Sequence, residues 1–317
     1  MDLRAHTRNY CDRDNRLASL NYFGTFAVYF LSLGLAIQFS GHWYLMVPAG
    51  VVHAFAAVRL YVLQHDAGHN SLFETRRQNK IAGHLLSPFT FAPFEVMKQN
   101  HNLHHAGVGN LEQRETGEIH TLTLAEWQQA GFWQRLVYRL YRHPLLLVPL
   151  GAAFTYFIRY RWPKNTVRFG AAGVLLHNLV IVGYLYALYL LGGFTAVWVW
   201  LGFSFLGGMI GVFLVYLQHN FEDTYWDSRP DHDPQMAAIQ GASCLDFGWL
   251  FDLVVAGINL HDIHHLNSRI PSYRLRDCHY SLPPELAPRR IKFPEALRAL
   301  RLKLWDEEQR RLVPFPK

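Results

Sequence analysis

Four long apolar runs constrain what this chain can fold into. Residues 22–39 (YFGTFAVYFLSLGLAIQF) carry no charge, and residues 43–64 (WYLMVPAGVVHAFAAVRLYVLQ) carry only Arg59. Residues 169–192 and 194–218 carry none. Each run is close to the ~20 residues that a helix needs to cross the hydrocarbon of a bilayer. A fifth run, 144–158, is shorter and is expected to form an interfacial or re-entrant helix. Half of the 317 residues are hydrophobic, which excludes a disordered chain. A large soluble helical protein would have to bury all four uncharged runs. The better reading is an all-α integral membrane protein, with four transmembrane helices in two hairpins at about 22–39, 43–64, 169–192 and 194–218.

The basic residues orient it. The hairpin tips SGHW (40–43) and GGFT (192–195) contain no Lys or Arg. Of the 30 Lys and Arg, all but Arg59 fall in the N-terminal lead-in, the segment 65–168 or the segment 219–317. Arg4, Arg8, Arg13 and Arg16 all precede the first span. By the positive-inside tendency that side is cytoplasmic, and both termini lie there with a cap made of 65–168 and 219–317. The net charge of +6 suits an anionic lipid surface or an acidic protein partner, and no nucleic-acid partner is expected. Asp2, Asp12 and Asp14 make the lead-in unlike a signal peptide. Cys11, Cys244 and Cys278 form no CxxC pair, so neither a disulfide framework nor a thiolate metal site is expected. The C-terminal stretch opens with proline breaks. It then reads as a basic amphipathic helix, with Leu297, Leu300, Leu304 and Trp305 at helical spacing.

Eight of the 18 histidines form three tight groups. His65 and His69 make H-x3-H. His101, His104 and His105 make H-x2-HH, and His261, His264 and His265 repeat it. On a helix, positions i and i+4 lie about 40° apart and i and i+3 about 60° apart, so each group is expected to aim its imidazoles at one point. Eight imidazoles exceed the four ligands that close a zinc site. They suit two ions of a metal that accepts nitrogen, such as iron. Neither HExxH nor paired Glu-x-x-His motifs are present. His219 ends the fourth run at the same face, where it reads equally as a ligand or as a helix-end histidine favoured by the dipole. Asp66 and Asp262 lie inside the groups and are candidates for orienting a histidine from behind. His53 and His177 lie inside expected spans, where a polar side chain suggests function. Most of the other nine histidines are expected to be ordinary satisfied side chains. Arg59 can snorkel towards the cytoplasmic interface.

The boxes resemble those of the membrane-bound fatty acid desaturases. HDAGHNSLF (65–73), HNLHHAGVGNLEQRETGEIHTLTLAEW (101–127), QHNFEDTYW (218–226) and LHDIHHLNSRIPSYRL (260–275) are most similar to the acyl-lipid omega-6 (delta-12) branch. The third box reads HDIHH where that branch has HHIHH, and Asn259 stands where it has a small residue.

The resemblance implies one desaturase domain over 1–317, with a cytoplasmic helical cap holding a non-haem di-iron centre. It implies two ferrous ions held by His65, His69, His101, His104, His105, His261, His264 and His265, with His219 as a further ligand. It implies an O2-dependent oxidoreductase that places a double bond in a fatty acyl chain linked to lipid, coenzyme A or carrier protein. Flavin, haem and iron–sulfur motifs are lacking, so electrons come from a separate ferredoxin- or cytochrome-type donor. Acetylenation, hydroxylation or carotenoid ketolation would use the same ligands. A metal transporter would instead place polar groups midway through the spans, and the histidines stand at their ends.

Overall fold

Asp14 starts the first long helix, because its carboxylate accepts from the backbone N–H groups of Arg16 and Leu17. The computed structural model describes residues 3–114, 119–162, 170–228, 231–283 and 289–316. A short α1 (Leu3–Arg8) precedes that cap, and α2 (Asn15–Gln38) begins about two turns before the first apolar run. After a turn, α3 (Trp43–His69) returns along α2. Buried His53 has Nδ1 3.1 Å from Tyr29 O and Nε2 3.4 Å from Ser204 Oγ, so it ties three segments together. Arg59 bonds Thr25 and Asn21 on α2 and the carbonyl of Leu253. α3 continues through the first histidine box and stops at Asn70, which takes the left-handed conformation at φ 56°.

α4 (Arg76–Thr90) opens with a Thr75–Gln78 capping box and leads to α5 (Phe94–Gly107), which carries the second box. β1 (Leu122–Thr123), α6 (Leu124–Gln129), α7 (Phe132–Tyr141) and α8 (Pro144–Ala153) follow. The fifth apolar run is helical throughout, since α8 passes into a wider turn at Phe154–Ile158. Its Leu145, Leu150 and Phe157 are exposed.

α9 (Ala171–His219) has 49 residues and is broken at Gly192 and Gly193. Gly193 has φ 63° and ψ −160°, a conformation that only glycine adopts without strain. The arms 171–191 and 194–219 run for about 31 and 39 Å at 1.5 Å per residue. Phe169, at the start of the expected third span, lies outside the described residues. Among the described residues three helices, α2, α3 and α9, are long and apolar enough to cross a membrane. α3 and the second arm of α9 touch by backbone: a Cβ on Gly207 would sit 2.8 Å from Ala54 O. Small residues permit such close crossings where no water competes. The core around α3 includes Tyr29, Leu60, Leu63, Leu86, Met97 and Trp200, all buried.

The remaining elements are α10 (Pro234–Gln240), β2 (Cys244–Asp246), α11 (Trp249–Val254), α12 (His261–Leu266) and α13 (Ser272–Tyr280). They are followed by β3 (Arg290–Lys292), α14 (Phe293–Ala299), β4 (Leu304–Asp306) and β5 (Arg311–Val313). β2 pairs in parallel with β3. β4 pairs in parallel with β1 and antiparallel with β5, with Trp305 opposite Thr123 and Leu312.

This corrects the expected C-terminal helix. It ends at Ala299, while Leu304 and Trp305 lie on β4. Successive strand residues face opposite sides, so Leu304 packs with Trp127 and Tyr138 while Trp305 packs with Leu111, Trp226 and Leu312. Both faces of β4 are covered, and that tertiary burial overrides the helical spacing. Of the proline breaks before it, Pro284 and Pro288 lie outside the described residues.

Candidate metal centre

Four elements deliver nine histidines to one place. The last turns of α3 bring His65 and His69, α5 brings His101, His104 and His105, the end of α9 brings His219, and α12 brings His261, His264 and His265. They form two groups. One contains His65, His69, His101, His105 and His264, and the other His104, His219, His261 and His265. Within each group the nearest ring nitrogens all lie within 4.8 Å of one another.

The expectation that each box aims at a single point holds for the first box and fails for the other two. Around a helix, i+4 is displaced about 40° one way and i+3 about 60° the other way, so residues i+3 and i+4 diverge by about 100°. The i, i+4 pairs His65/His69, His101/His105 and His261/His265 therefore stay together. His104 and His264 cross to the opposite group.

The nitrogens fit metal ions. Nε2 of His105 lies 2.8 Å from Nε2 of His101 and 3.0 Å from that of His264. Nε2 of His265 lies 3.0 Å from that of His261 and 3.3 Å from that of His104. An ion bonded to imidazoles at about 2.1 Å sets adjacent nitrogens roughly 3 Å apart. Nε2 of His65, His69 and His219 is buried with no hydrogen-bond partner among the described residues. Buried polar atoms left open in this way are costly unless something binds them. Two adjoining all-histidine sets suit a metal that accepts nitrogen, iron among them.

Backbone and carboxylate groups hold some of these rings. His219 Nδ1 is 2.8 Å from Gly241 O, and His65 Nδ1 is 3.3 Å from Asp66 Oδ1. The other Asp66 oxygen accepts from the Ser272 backbone N–H at 2.7 Å, which ties the first box to α13. Asp262 is placed differently. Its Oδ1 accepts from the Ile263 N–H, and its Oδ2 is buried with no hydrogen-bond partner among the described residues. Burial pushes Asp262 up to about 7. Burial, and then the neighbouring imidazoles, hold His101, His104, His105, His261, His264 and His265 well below the usual histidine range. They are neutral at physiological pH, which is the form that binds metal.

The family model described as "Fatty acid desaturase" matches residues 15–295. This chain belongs to the fatty acid desaturase family. It is 32% identical over 296 residues to a protein of Bacillus subtilis named "Fatty acid desaturase", covering 93% of this chain and 82% of that one. It is 26% identical over 249 residues to the "sn-1 oleoyl-lipid 12-desaturase" of a Picosynechococcus species, covering 76% and 70% of the two chains. The corresponding protein of Anabaena variabilis is 25% identical, with 76% and 69% covered. The chain is therefore an oxidoreductase acting on fatty acyl lipid, with apolar helices of membrane type and histidine clusters able to bind metal.

Several parts of the desaturase's site have no sequence signal. The Gly241 carbonyl comes from the turn after α10. Gln218 Nε2 donates to Ile258 O, and the Ser243 N–H donates to Gln218 O, so the end of α9 is tied to the chain around the third box. Asn259 also braces the chain ahead of that box, because its side-chain amide donates to Leu245 O at 2.9 Å and to Asp252 Oδ1 at 2.7 Å. Among the scattered histidines, His177 lies 3.2 Å from the Arg161 guanidinium, away from both groups.

Proposed function

We propose that this desaturase is a single-domain, four-span membrane enzyme that uses two non-haem ferrous ions and O2 to place a cis double bond in a lipid-linked acyl chain, in the omega-6/delta-12 manner. The observation that carries this reading is the pair of histidine groups at one end of the apolar helices. The arms of α9, each about the length of a bilayer's hydrocarbon, support four spans in two hairpins. The basic lead-in and cap then lie on the cytoplasmic side. His65, His69, His101, His105 and His264 hold one ion, and His104, His219, His261 and His265 hold the other. The names of the Picosynechococcus and Anabaena relatives favour the regiochemistry.

When bound, the ions supply the oxidation of an unactivated C–H bond, which no side chain can perform. Overall, one CH2–CH2 unit, O2, two electrons and two protons give CH=CH and two waters. The electrons come from a separate ferredoxin- or cytochrome-type donor, and an acidic donor suits the basic face. The chain's own work is positioning and exclusion. Asp66 and the Gly241 carbonyl hold the rings of His65 and His219 in place, and burial keeps bulk water from the four-member group. An apolar slot between α3 and α9, lined by Ala57, Tyr61, Phe91, Tyr156, Phe205 and Gly211, lies below them. Tyr61 is one helical turn from His65, and Gly211 is about 12 Å along the helix from His219. The slot holds only about 40 Å³, less than an acyl chain fills.

The test is the fatty acid profile of a bacterial host expressing the chain beside a His104→Ala variant, with the iron content of the purified proteins. A new unsaturated acid with the unchanged chain alone, and about two irons per chain, supports the reading. A hydroxylated or acetylenic product would replace desaturation with that chemistry. Well-folded protein with no iron would remove the metal assignment.

A further inference from the structure

Away from the histidines, a cavity of about 540 Å³ lies between α1, the turn into α2 and the chain after α12. This is within the usual size of a small-ligand site. Arg4, Arg8, Arg13 and Arg269 line it, against Asp12 and Glu74, a formal balance of 4 − 2 = +2. Arg4 and Arg8 are four residues apart on α1 and share a face.

The wall is held in place. His6 Nε2 lies 3.2 Å from Cys278 O and 3.1 Å from Ser281 Oγ, while Asn267 Nδ2 donates to Thr7 Oγ1 at 3.1 Å. Arg13 Nε is buried with no hydrogen-bond partner among the described residues. That atom is shut off from the cavity, and an anion with oxygen acceptors would be met instead by the exposed guanidinium groups of Arg8 and Arg269.

The cavity's height in the molecule narrows the choice. Asp14 caps α2 directly after Arg13, and the side chains of Leu17, Leu20 and Phe23 then stand exposed on α2. Phe23 is eight residues beyond Asn15, about 12 Å along α2. The cavity thus sits where the basic lead-in meets the apolar surface, the level at which phospholipid head groups lie.

We propose that this cavity binds the phosphate of an anionic glycerophospholipid, whose acyl chains lie along the exposed Leu20 and Phe23 side of α2. The proposal rests on the membrane reading above and not on the metal. A soluble phosphate ester shares the phosphate chemistry but has no use for the apolar surface below.

The test measures retention of phosphatidylglycerol and phosphatidylcholine by native mass spectrometry, on the full chain purified in an uncharged detergent. Phosphatidylglycerol should be retained in preference. The Arg8→Ala/Arg269→Ala variant should retain it roughly 25-fold less well, about fivefold for each arginine. The Arg8→Lys/Arg269→Lys variant should recover most of the retention, and Arg298→Ala on α14 should change nothing. Equal retention by the unchanged chain and the double alanine variant overturns the proposal, as does an equal loss with Arg298→Ala. Displacement of the lipid by coenzyme A or inorganic phosphate at matched concentration overturns the lipid assignment in favour of a soluble phosphate ester. Iron is measured on the same samples. Its absence from the unchanged chain would undo the metal reading and leave the lipid result standing.

Discussion

The two histidine groups differ in how they are assembled. The five-member group takes two complete i, i+4 pairs, His65/His69 and His101/His105, and borrows only His264. Three of its members, His69, His101 and His105, are partly exposed. The four-member group is wholly buried and has one such pair, His261/His265, completed by His104 from α5 and His219 from α9. The first is mostly local helix geometry brought to one point. The second depends on α9 ending at the right place, so it should be the more sensitive to distant changes.

The largest expected effect comes from the crossing residues. His104→Ala and His264→Ala should each abolish product formation, because the proposed chemistry needs an ion at each group. Metal analysis should show about one iron per chain in each variant, with the four-member group emptied by the first and the five-member group by the second. Loss of both irons from either variant would mean that the groups do not act as separate sites.

Arg142 should expose the second group's dependence on its surroundings. It is fully buried between α7 and α8 and donates to Asn220 Oδ1 at 2.5 Å, Thr121 Oγ1 at 2.8 Å and His120 O at 3.1 Å. Asn220 follows His219 and donates in turn to Ala299 O at 2.9 Å. Arg142→Met leaves these acceptors unpaired and should cost about 3 kcal/mol, read as a lower thermal midpoint. Iron should leave the four-member group first, and loss from the other group first would contradict the contrast.

Asp66→Asn probes the other side. The amide keeps the shape but weakens the hold on His65, and iron affinity at the five-member group should fall roughly 10- to 100-fold by chelator competition. The four-member group should be unaffected.

The smallest effect is a pH dependence. Lys303 donates to Arg142 O at 2.7 Å and Tyr216 OH at 3.1 Å, and burial, with Arg142 nearby, pushes it down to about 8. Between about pH 8 and the ordinary lysine value near 10.5, the unfolded chain binds more protons at this position, so this group's contribution to stability rises with pH. The midpoint of Lys303→Met should gain less, or fall more steeply, than that of the unchanged chain from pH 8 to 10. Parallel curves would remove Lys303 from the account.

Much of this is legible in the sequence. Apolar runs over 43–64 and 194–218 show as helices because each residue's preference for apolar surroundings is local and repeated. The Gly192–Gly193 break falls where the third and fourth runs separate. The three i, i+4 histidine pairs follow from 3.6 residues per turn. Leu304 and Trp305 mislead, because a spacing that suits a helix also suits a strand covered on both faces, and only Trp226, Leu312 and Trp127 decide between them.

By itself the sequence determined the apolar helices, the basic face and which histidines share a side of their own helix, since these depend on neighbours within about one turn. The tertiary structure decided which box supplies which group, that His219 joins His104, His261 and His265, and that the Gly241 carbonyl and Asp66 hold rings in place. Those contacts join residues as far apart as His104 and His265, whose Nε2 atoms meet at 3.3 Å across 161 positions. No local periodicity carries that information; it arises only when packing brings the helix ends together.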